Sequence, residues 1–187
     1  MKQYTIIGGV NGVGKSSISG VLRRQLSDMG IIIDPNMIAA QQRCDRLTAG
    51  KIAIAKVKEC LQKGINFSQE TTLSGRRTLR TIQQAREENY YIRLYYVGVS
   101  TAEESLYRIA NRVRKGGHDI SADDVHRRYE KRFADLADVL PYCDEVHFYD
   151  NENGFEEVAI YRNGDMIPQG EQLPKWLYDF IEYQNES

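Results

Sequence analysis

One eight-residue stretch near the amino terminus constrains this chain more than any other. Residues 9–16 read GVNGVGKS, which fits the phosphate-loop pattern G-x-x-x-x-G-K-[ST] at every fixed position. The apolar and β-branched run at residues 4–7 predicts a buried strand just before it. Ile18, Leu22 and Leu26 then recur with helical spacing, which predicts a helix that begins inside the motif. A strand, a glycine-rich loop and a helix in this order predict a phosphate-binding loop.

Such a loop supplies the groups that a nucleotide phosphate needs. Glycines let the backbone approach the phosphate oxygens, and the loop N–H groups and the helix N-terminus face the anion. Lys15 is expected to reach the β- and γ-phosphates of ATP, and the Ser16 hydroxyl to bind Mg²⁺. The predicted cofactors are therefore ATP and Mg²⁺. The predicted nucleotide-binding residues are Gly9, Val10, Asn11, Gly12, Val13, Gly14, Lys15, Ser16 and Ser17.

The rest of the chain alternates predicted strands with predicted helices. After the first strand, further strands are predicted at residues 31–33, 65–69, 90–99 and 145–149. This alternation predicts an α/β fold of the P-loop NTPase type, with a doubly wound, mainly parallel five-stranded sheet and helices on both faces. A three-residue apolar run such as 31–33 is expected in a strand that is covered on both faces.

The carboxyl-terminal part predicts a hairpin and a last helix. Asn163-Gly164 separates two short apolar runs, and Asn-Gly is a strong hairpin signal. The apolar face of residues 176–181 is expected to pack on the core. We expect a single domain over residues 1–187, with a core at 1–150, a helical lid at about 101–139, and the hairpin and helix at 151–187.

Composition excludes several classes of protein. With 187 residues and a net charge of −1, the chain carries no basic excess that would point to nucleic acid. Its three cysteines are scattered and odd in number, which favours a reduced, cytoplasmic protein over a disulfide or zinc framework. No leader pattern and no long apolar run are present, so we expect no membrane segment.

Two carboxylates follow predicted strands at the edge of the sheet where ligands bind in such folds. A kinase needs a group that accepts the proton of the attacking hydroxyl, and Asp34 is the first candidate. Its alternative role is to start the turn before Pro35. Glu70 is expected to hold Mg²⁺ through water or to bind the acceptor hydroxyls, and its alternative role is to place a negative charge near the start of the next helix.

A basic run follows the fourth predicted strand. We expect Arg112 or Arg114 to close over the γ-phosphate as a lid arginine. The neighbouring Gly116-Gly117 pair would give that lid a hinge. The alternative is a solvated basic face, paired with the acidic residues at the start of the same predicted helix.

Four stretches together resemble the zeta-toxin-like P-loop kinases, and more narrowly their small stand-alone bacterial members. They are residues 9–16, 34–39, 70–75 (ETTLSG) and 112–118 (RVRKGGH), within a resemblance that covers residues 4–150. The resemblance implies an adenylate-kinase-like core. It also implies transfer of a phosphate from ATP or GTP, with Mg²⁺, to a sugar hydroxyl of UDP-N-acetylglucosamine. Glu70 and Thr72 would then face the sugar, and an arginine near Arg112 would hold the γ-phosphate.

The chain departs from the family pattern at two positions. The family places its catalytic Asp two residues beyond the position of Asp34, where this chain has Asn36, and an amide cannot act as a base. The toxins carry an arginine soon after the Glu, whereas the nearest arginine in this chain is Arg76, beyond Ser74. The predicted catalytic residues are thus Lys15, Asp34, Glu70, Arg112 and Arg114, and the predicted substrate-binding residues are Asn36, Glu70, Thr72, Ser74 and Arg76.

A small-molecule kinase with a hydroxyl-bearing acceptor is the function that the sequence favours. One alternative is a P-loop ATPase or nucleotide-binding switch that acts through a protein partner, such as an antitoxin-like protein. Another is an RNA or nucleotide end kinase, against which the near-neutral charge counts.

Overall fold

A computed structural model describes residues 1–186, in which strands and helices alternate along most of the chain. The strands are β1 (Lys2–Gly8), β2 (Ile31–Ile33), β3 (Phe67–Thr71), β4 (Tyr90–Gly98), β5 (Glu145–Asp150), β6 (Glu156–Arg162) and β7 (Asp165–Pro168). The α-helices are α1 (Lys15–Gln25), α2 (Pro35–Gln42), α3 (Arg46–Lys63), α4 (Arg76–Glu87), α5 (Ala102–Arg114), α6 (Ala122–Val139) and α7 (Lys175–Glu186). A 3₁₀ turn, Leu140–Tyr142, joins α6 to β5.

The strands form one sheet in the order β2-β3-β1-β4-β5-β6-β7. The first five are parallel to one another, and β1 lies at their centre with Tyr4 opposite Phe67 on one side and Ile92 on the other. The predicted α/β fold with five parallel strands is therefore confirmed. The predicted hairpin, β6 and β7, adds two antiparallel strands to the same sheet, because β6 pairs with the free edge of β5.

Helices cover both faces of the sheet, as the doubly wound prediction requires. Successive residues of a strand point to opposite faces, so Ile6 joins one buried cluster and Ile7 joins the other. The first cluster includes Trp176 and Phe180 of α7, which confirms that the apolar face of the last helix packs on the core. The second cluster joins the sheet to α1 through Ile18.

Two local predictions differ from the structure. The strand Ile31–Ile33 lies at the edge of the sheet and is covered less completely than its apolar sequence predicts, since Ile31 is 44% exposed while Ile33 is fully buried. Helix α1 ends at Gln25, so Leu26, the last residue of the predicted helical spacing, lies just outside it: Leu26 takes an extended conformation while its N–H donates to the carbonyl oxygen of Leu22. An apolar run predicts a strand but does not show whether that strand lies at the edge or at the centre of the sheet.

The fold places the ends of β1, β2 and β3 together at one edge of the sheet, where the phosphate loop, α2 and the segment before α4 begin. Helices α5 and α6 are joined by residues 115–121, several of which line the same cavity as the loop. No helix within residues 1–186 combines the length and the apolar character needed to cross a membrane.

Candidate active site

The predicted phosphate loop connects the end of β1 to the first residue of α1. Gly12 and Gly14 have φ values of 82° and 100°, which side-chain-bearing residues rarely adopt. A Cβ atom at Gly12 would lie 2.6 Å from the carbonyl oxygen of Ser105, so the loop backbone rests directly against α5. No side chain caps the N-terminus of α1. The loop therefore offers free backbone donors to an anion.

Lys15 spans the loop from the first turn of α1. Its Nζ atom donates to the carbonyl oxygens of Gly9 at 2.8 Å and Val10 at 2.9 Å. Burial of the ammonium group is the main reason that the pKa of Lys15 is lowered to about 8. The cation is thus held inside the loop in a setting that favours pairing with an anion.

Ser16 and Glu70 bring two oxygen donors together beside the loop. The Ser16 hydroxyl donates to Oε2 of Glu70 at 2.9 Å, although 54 residues separate the two in the chain. Among residues 1–186 no cluster of three or more His, Cys, Asp and Glu side chains is arranged to hold a metal. Mg²⁺ does not need such a cluster, because it commonly takes one or two protein oxygens together with phosphate oxygens and water. Ser16 and Glu70 therefore fit a magnesium ion that a nucleotide brings with it.

Asp34 lies at the end of β2 and caps α2. Its Oδ1 atom accepts the backbone N–H of Asn36 at 2.8 Å, and only 6% of the residue is exposed. Asp34 therefore starts the turn into α2, which is one of the two roles that the sequence left open. It also lines the large cavity, where its role as proton acceptor stays a prediction. Asn36 lies in the first turn of α2 and lines the same cavity.

Charged side chains surround Lys15 from both sides of the cavity. Beyond burial, the carboxylates of Glu70 and Asp34 raise the pKa of Lys15, whereas the guanidinium groups of Arg112 and Arg128 lower it. Arg112 comes from the end of α5 and Arg128 from the first half of α6. The site is therefore bounded by acids on the strand side and by cations on the helix side.

Hydrogen bonds hold these two arginines in place. Arg112 donates to the carbonyl oxygen of His118 at 2.8 Å, which folds residues 115–121 back onto α5. Arg128 donates to Oδ1 of Asn11 at 2.6 Å and so connects α6 to the phosphate loop. Arg114, by contrast, contacts Asn111 at 3.4 Å and does not line the cavity.

One cavity of about 880 Å³ gathers most of the predicted site residues. Those that line it are Asn11, Gly12, Gly14, Lys15, Ser16, Ser17, Asp34, Asn36, Glu70, Thr72 and Arg112. The loop residues Gly9, Val10 and Val13 do not line it, and both valines are buried in the core. Ser74 and Arg76 line a second cavity of about 350 Å³ instead. Arg128 lines both cavities, so the two meet at that side chain.

Comparison with known proteins yields one close relative in sequence. No family model matches the chain. An uncharacterized protein of Haemophilus influenzae is 35% identical over 126 residues, which cover 65% of this chain and 88% of that relative. The chain belongs to the family of this Haemophilus protein.

Solved structures of low sequence identity share the fold of this chain. A chain from the PezAT chromosomal toxin–antitoxin system of Streptococcus pneumoniae matches with a TM-score of 0.63 at 16% identity, over 100% of this chain and 86% of the other. A chain of the AvrRxo1-ORF1:-ORF2 complex with ATP matches with a TM-score of 0.66 at 14% identity, over 97% of this chain. This chain spans 63% of that second relative. The fold is that of the zeta-toxin-like P-loop kinases.

Several residues of the site were not singled out from the sequence. Arg108 stands four residues before Arg112 and therefore shares its helix face, but the sequence assigned no role in the site to Arg108 or to Arg128. Asn151 carried no signal, because it follows β5 and meets the phosphate loop only through the tertiary fold. A pattern search finds residues that are close in sequence, whereas these contacts join residues far apart in the chain.

Proposed function

We propose that this protein is a P-loop phosphotransferase that moves the γ-phosphate of ATP to a hydroxyl group of a small molecule. The observation that carries the proposal is the meeting, in one cavity, of the Lys15 ammonium, the Ser16–Glu70 pair and the Asp34 carboxylate. These groups supply a cation for the phosphates, oxygen donors for a metal and an acceptor for a proton. The fold shared with an ATP-containing complex supports the nucleotide half of the proposal.

Charge neutralisation is the main contribution expected of the protein, since phosphoryl transfer depends mostly on positioning and electrostatics. Lys15 would bind the β- and γ-phosphate oxygens. Ser16 would ligate Mg²⁺ directly and Glu70 through water, and the ion would neutralise charge on the same phosphates. Arg112 and Arg128 line the opposite wall and would stabilise the charge that develops on the transferred group.

The acceptor would enter from the side of β2 and β3. Asp34, Asn36, Glu70 and Thr72 line this part of the cavity. Asp34 has a carboxylate and lies beside Asn36, the position at which the zeta-toxin-like kinases carry their catalytic Asp. We therefore propose that Asp34 accepts the proton of the acceptor hydroxyl. A sugar nucleotide such as UDP-N-acetylglucosamine is the first acceptor to test. A larger acceptor of that kind would reach past Arg128 toward the second cavity.

A nucleotide-binding switch with slow ATP hydrolysis is the second candidate function. The observation that favours it is that Oδ1 of Asp34 already accepts the N–H of Asn36, and that Asn36 has no proton-accepting group. A weakened base would slow transfer to an organic acceptor, and nucleotide binding with slow hydrolysis would then remain. The structural likeness to a chain from a toxin–antitoxin system supports an antitoxin-like protein as the partner of such a switch.

We expect radiolabelled γ-phosphate to appear in an organic product when the protein is incubated with ATP, Mg²⁺ and a pool of metabolites. Asp34→Asn should lower this transfer about 10²-fold while ATP still binds, because the base is lost but the shape remains. Asn also caps helices well, so the start of α2 should be preserved. Asp45→Asn is a matched control, since Asp45 caps α3 by the same kind of bond to Thr48 outside the cavity.

Two results would count against this assignment. Labelled inorganic phosphate without any labelled organic product would favour the hydrolytic switch over the kinase. Unimpaired transfer in Asp34→Asn, together with a large gain in Asn36→Asp, would mean that the present chain is a weakened kinase whose base was lost at position 36.

Nucleotide affinity should fall as the pH rises through about 8. Without nucleotide the pKa of Lys15 is about 8, so the ammonium is present below this pH and is lost above it. Phosphate stabilises the ammonium form, and binding above pH 8 must therefore take up a proton. The Kd for ATP should then rise by up to about tenfold per pH unit. Calorimetry between about pH 7.5 and 9.5 measures this, and Lys15→Arg, which stays charged, should give a nearly flat curve. Parallel curves for both proteins would contradict the assignment to Lys15.

A further inference from the structure

We infer that Asn151 and Arg108 are positioning residues of the phosphate loop. They hold the carbonyl group of Val13 and thereby direct the N–H of Gly14 toward the nucleotide phosphates. The inference rests on the proposed function to the extent that the loop must bind a nucleotide. It assigns a role to the carboxyl-terminal part of the chain, which the proposed chemistry does not otherwise use.

The carbonyl oxygen of Val13 accepts hydrogen bonds from two distant segments. Nδ2 of Asn151 donates to it at 2.8 Å, across 138 residues of sequence. Nη1 of Arg108 approaches the same oxygen at 3.5 Å, and Nη2 of Arg108 contacts Glu104 and the carbonyl oxygen of Asn151. Two donors that also contact each other thus converge on one loop carbonyl.

Fixing this carbonyl fixes the orientation of the next N–H group. The peptide unit is planar and trans, so the carbonyl of Val13 and the N–H of Gly14 point in opposite directions. Val13 is fully buried, whereas Gly14 lines the large cavity. A carbonyl that is held toward the protein interior therefore leaves the N–H of Gly14 on the side where the phosphates would bind.

Close packing keeps the loop in this position. A Cβ atom at Gly14 would lie 2.7 Å from Nδ2 of Asn151 and 3.0 Å from Cζ of Phe155. The segment between β5 and β6 thus presses directly on the loop backbone. Only glycine leaves enough space for that contact, in addition to allowing the positive φ at this position.

The residue before Asn151 is held in place by α7. This residue, Asp150, accepts a hydrogen bond from Nε1 of Trp176 at 2.8 Å through Oδ1, and from the N–H of Glu152 at 3.0 Å through Oδ2. Trp176 is 1% exposed, so this anchor belongs to the core. The last helix thus supports the segment between β5 and β6 that contacts the phosphate loop.

The test compares the affinities for ADP, which carries a β-phosphate, and for AMP, which does not. Asn151→Asp removes the donor and turns a carboxylate oxygen toward the Val13 carbonyl. We expect the preference for ADP over AMP to fall about tenfold, because the affected N–H serves the β-phosphate. Asn153→Asp introduces the same charge at an exposed position of the same segment, and its preference should equal that of the wild type.

Asn151→Ala provides a second variant that removes the donor without adding charge. It should lower the ADP preference in the same direction, and its melting temperature reports separately on folding. An unchanged preference in both Asn151 variants would overturn the inference, and so would equal losses for ADP and AMP. Wild-type protein that binds neither nucleotide would instead refute the proposed function.

A double-mutant cycle with Arg108→Ala tests whether the two side chains act through the same carbonyl. If they do, the losses of ADP affinity in Arg108→Ala and Asn151→Ala should be clearly less than additive in the double variant. Additive losses would mean that Arg108 acts on the nucleotide independently, and would overturn the paired role.

Discussion

Replacing Lys15 with alanine should reduce ATP turnover about 10³-fold and weaken ATP binding strongly. Lys15 is the only cation contributed by the phosphate loop itself, and its Nζ atom lies within 3 Å of the carbonyl oxygens of Gly9 and Val10. The variant therefore loses the charge that would meet the phosphates and also the bridge across the loop. Turnover and the Kd for ATP should be measured on the same preparation.

Lys51→Ala is a suitable control for the Lys15 variant. Lys51 lies on α3, is exposed and does not line the cavity, so its loss changes the net charge equally without touching the site. It should behave as the wild type. A Lys15→Ala protein that bound and turned over ATP normally would refute the assignment of the phosphate loop.

Arg112→Ala and Arg128→Ala should each lower kcat by about 10³-fold while changing the KM for ATP much less. Both side chains line the cavity, and both act on the pKa of Lys15, which places their charge near the phosphate position. An arginine that stabilises the charge of the transition state affects the rate more than it affects nucleotide affinity. Steady-state kinetics at saturating acceptor, or of hydrolysis if no acceptor is found, measures the effect.

Arg114→Ala provides the contrast for these two variants. The sequence left Arg112 and Arg114 as equal candidates for the lid arginine. Arg114 contacts Asn111 and lies outside the cavity, so we expect its replacement to retain most of the turnover. A loss as large as that of Arg112→Ala would mean that the lid closes in another orientation when nucleotide binds.

Much of the fold follows from local patterns in the sequence. Residues 4–7 form a strand because a run of apolar and β-branched residues suits a strand that is buried on both faces. Residues 15–25 form a helix, in which Ile18 and Leu22 recur with helical spacing. The alternation of such elements admits few arrangements other than a parallel sheet with helices on both faces. The exposure of Ile31 was not predictable in this way, because it depends on which strand lies at the edge of the sheet.

The strand side of the candidate site was predictable for a similar reason. In a parallel sheet the carboxyl ends of the strands share one edge, so the phosphate loop, Asp34 and Glu70 were expected to meet. The structure places them in one cavity. The helix side was not predictable to the same degree, because the direction of an arginine on α5 or α6 depends on how those helices pack over the sheet.

The phosphate loop and the order of the elements around it could be predicted from local sequence, since both are encoded by residues that are neighbours in the chain. Other features follow from the packing of the whole domain: Arg128 donates to Asn11, Arg114 does not line the cavity, and Asn151 donates to the carbonyl oxygen of Val13, 138 residues away. These contacts arise when helices and strands pack to bury their apolar faces. The geometry of the whole domain then determines which polar groups meet. A local sequence pattern does not contain that information.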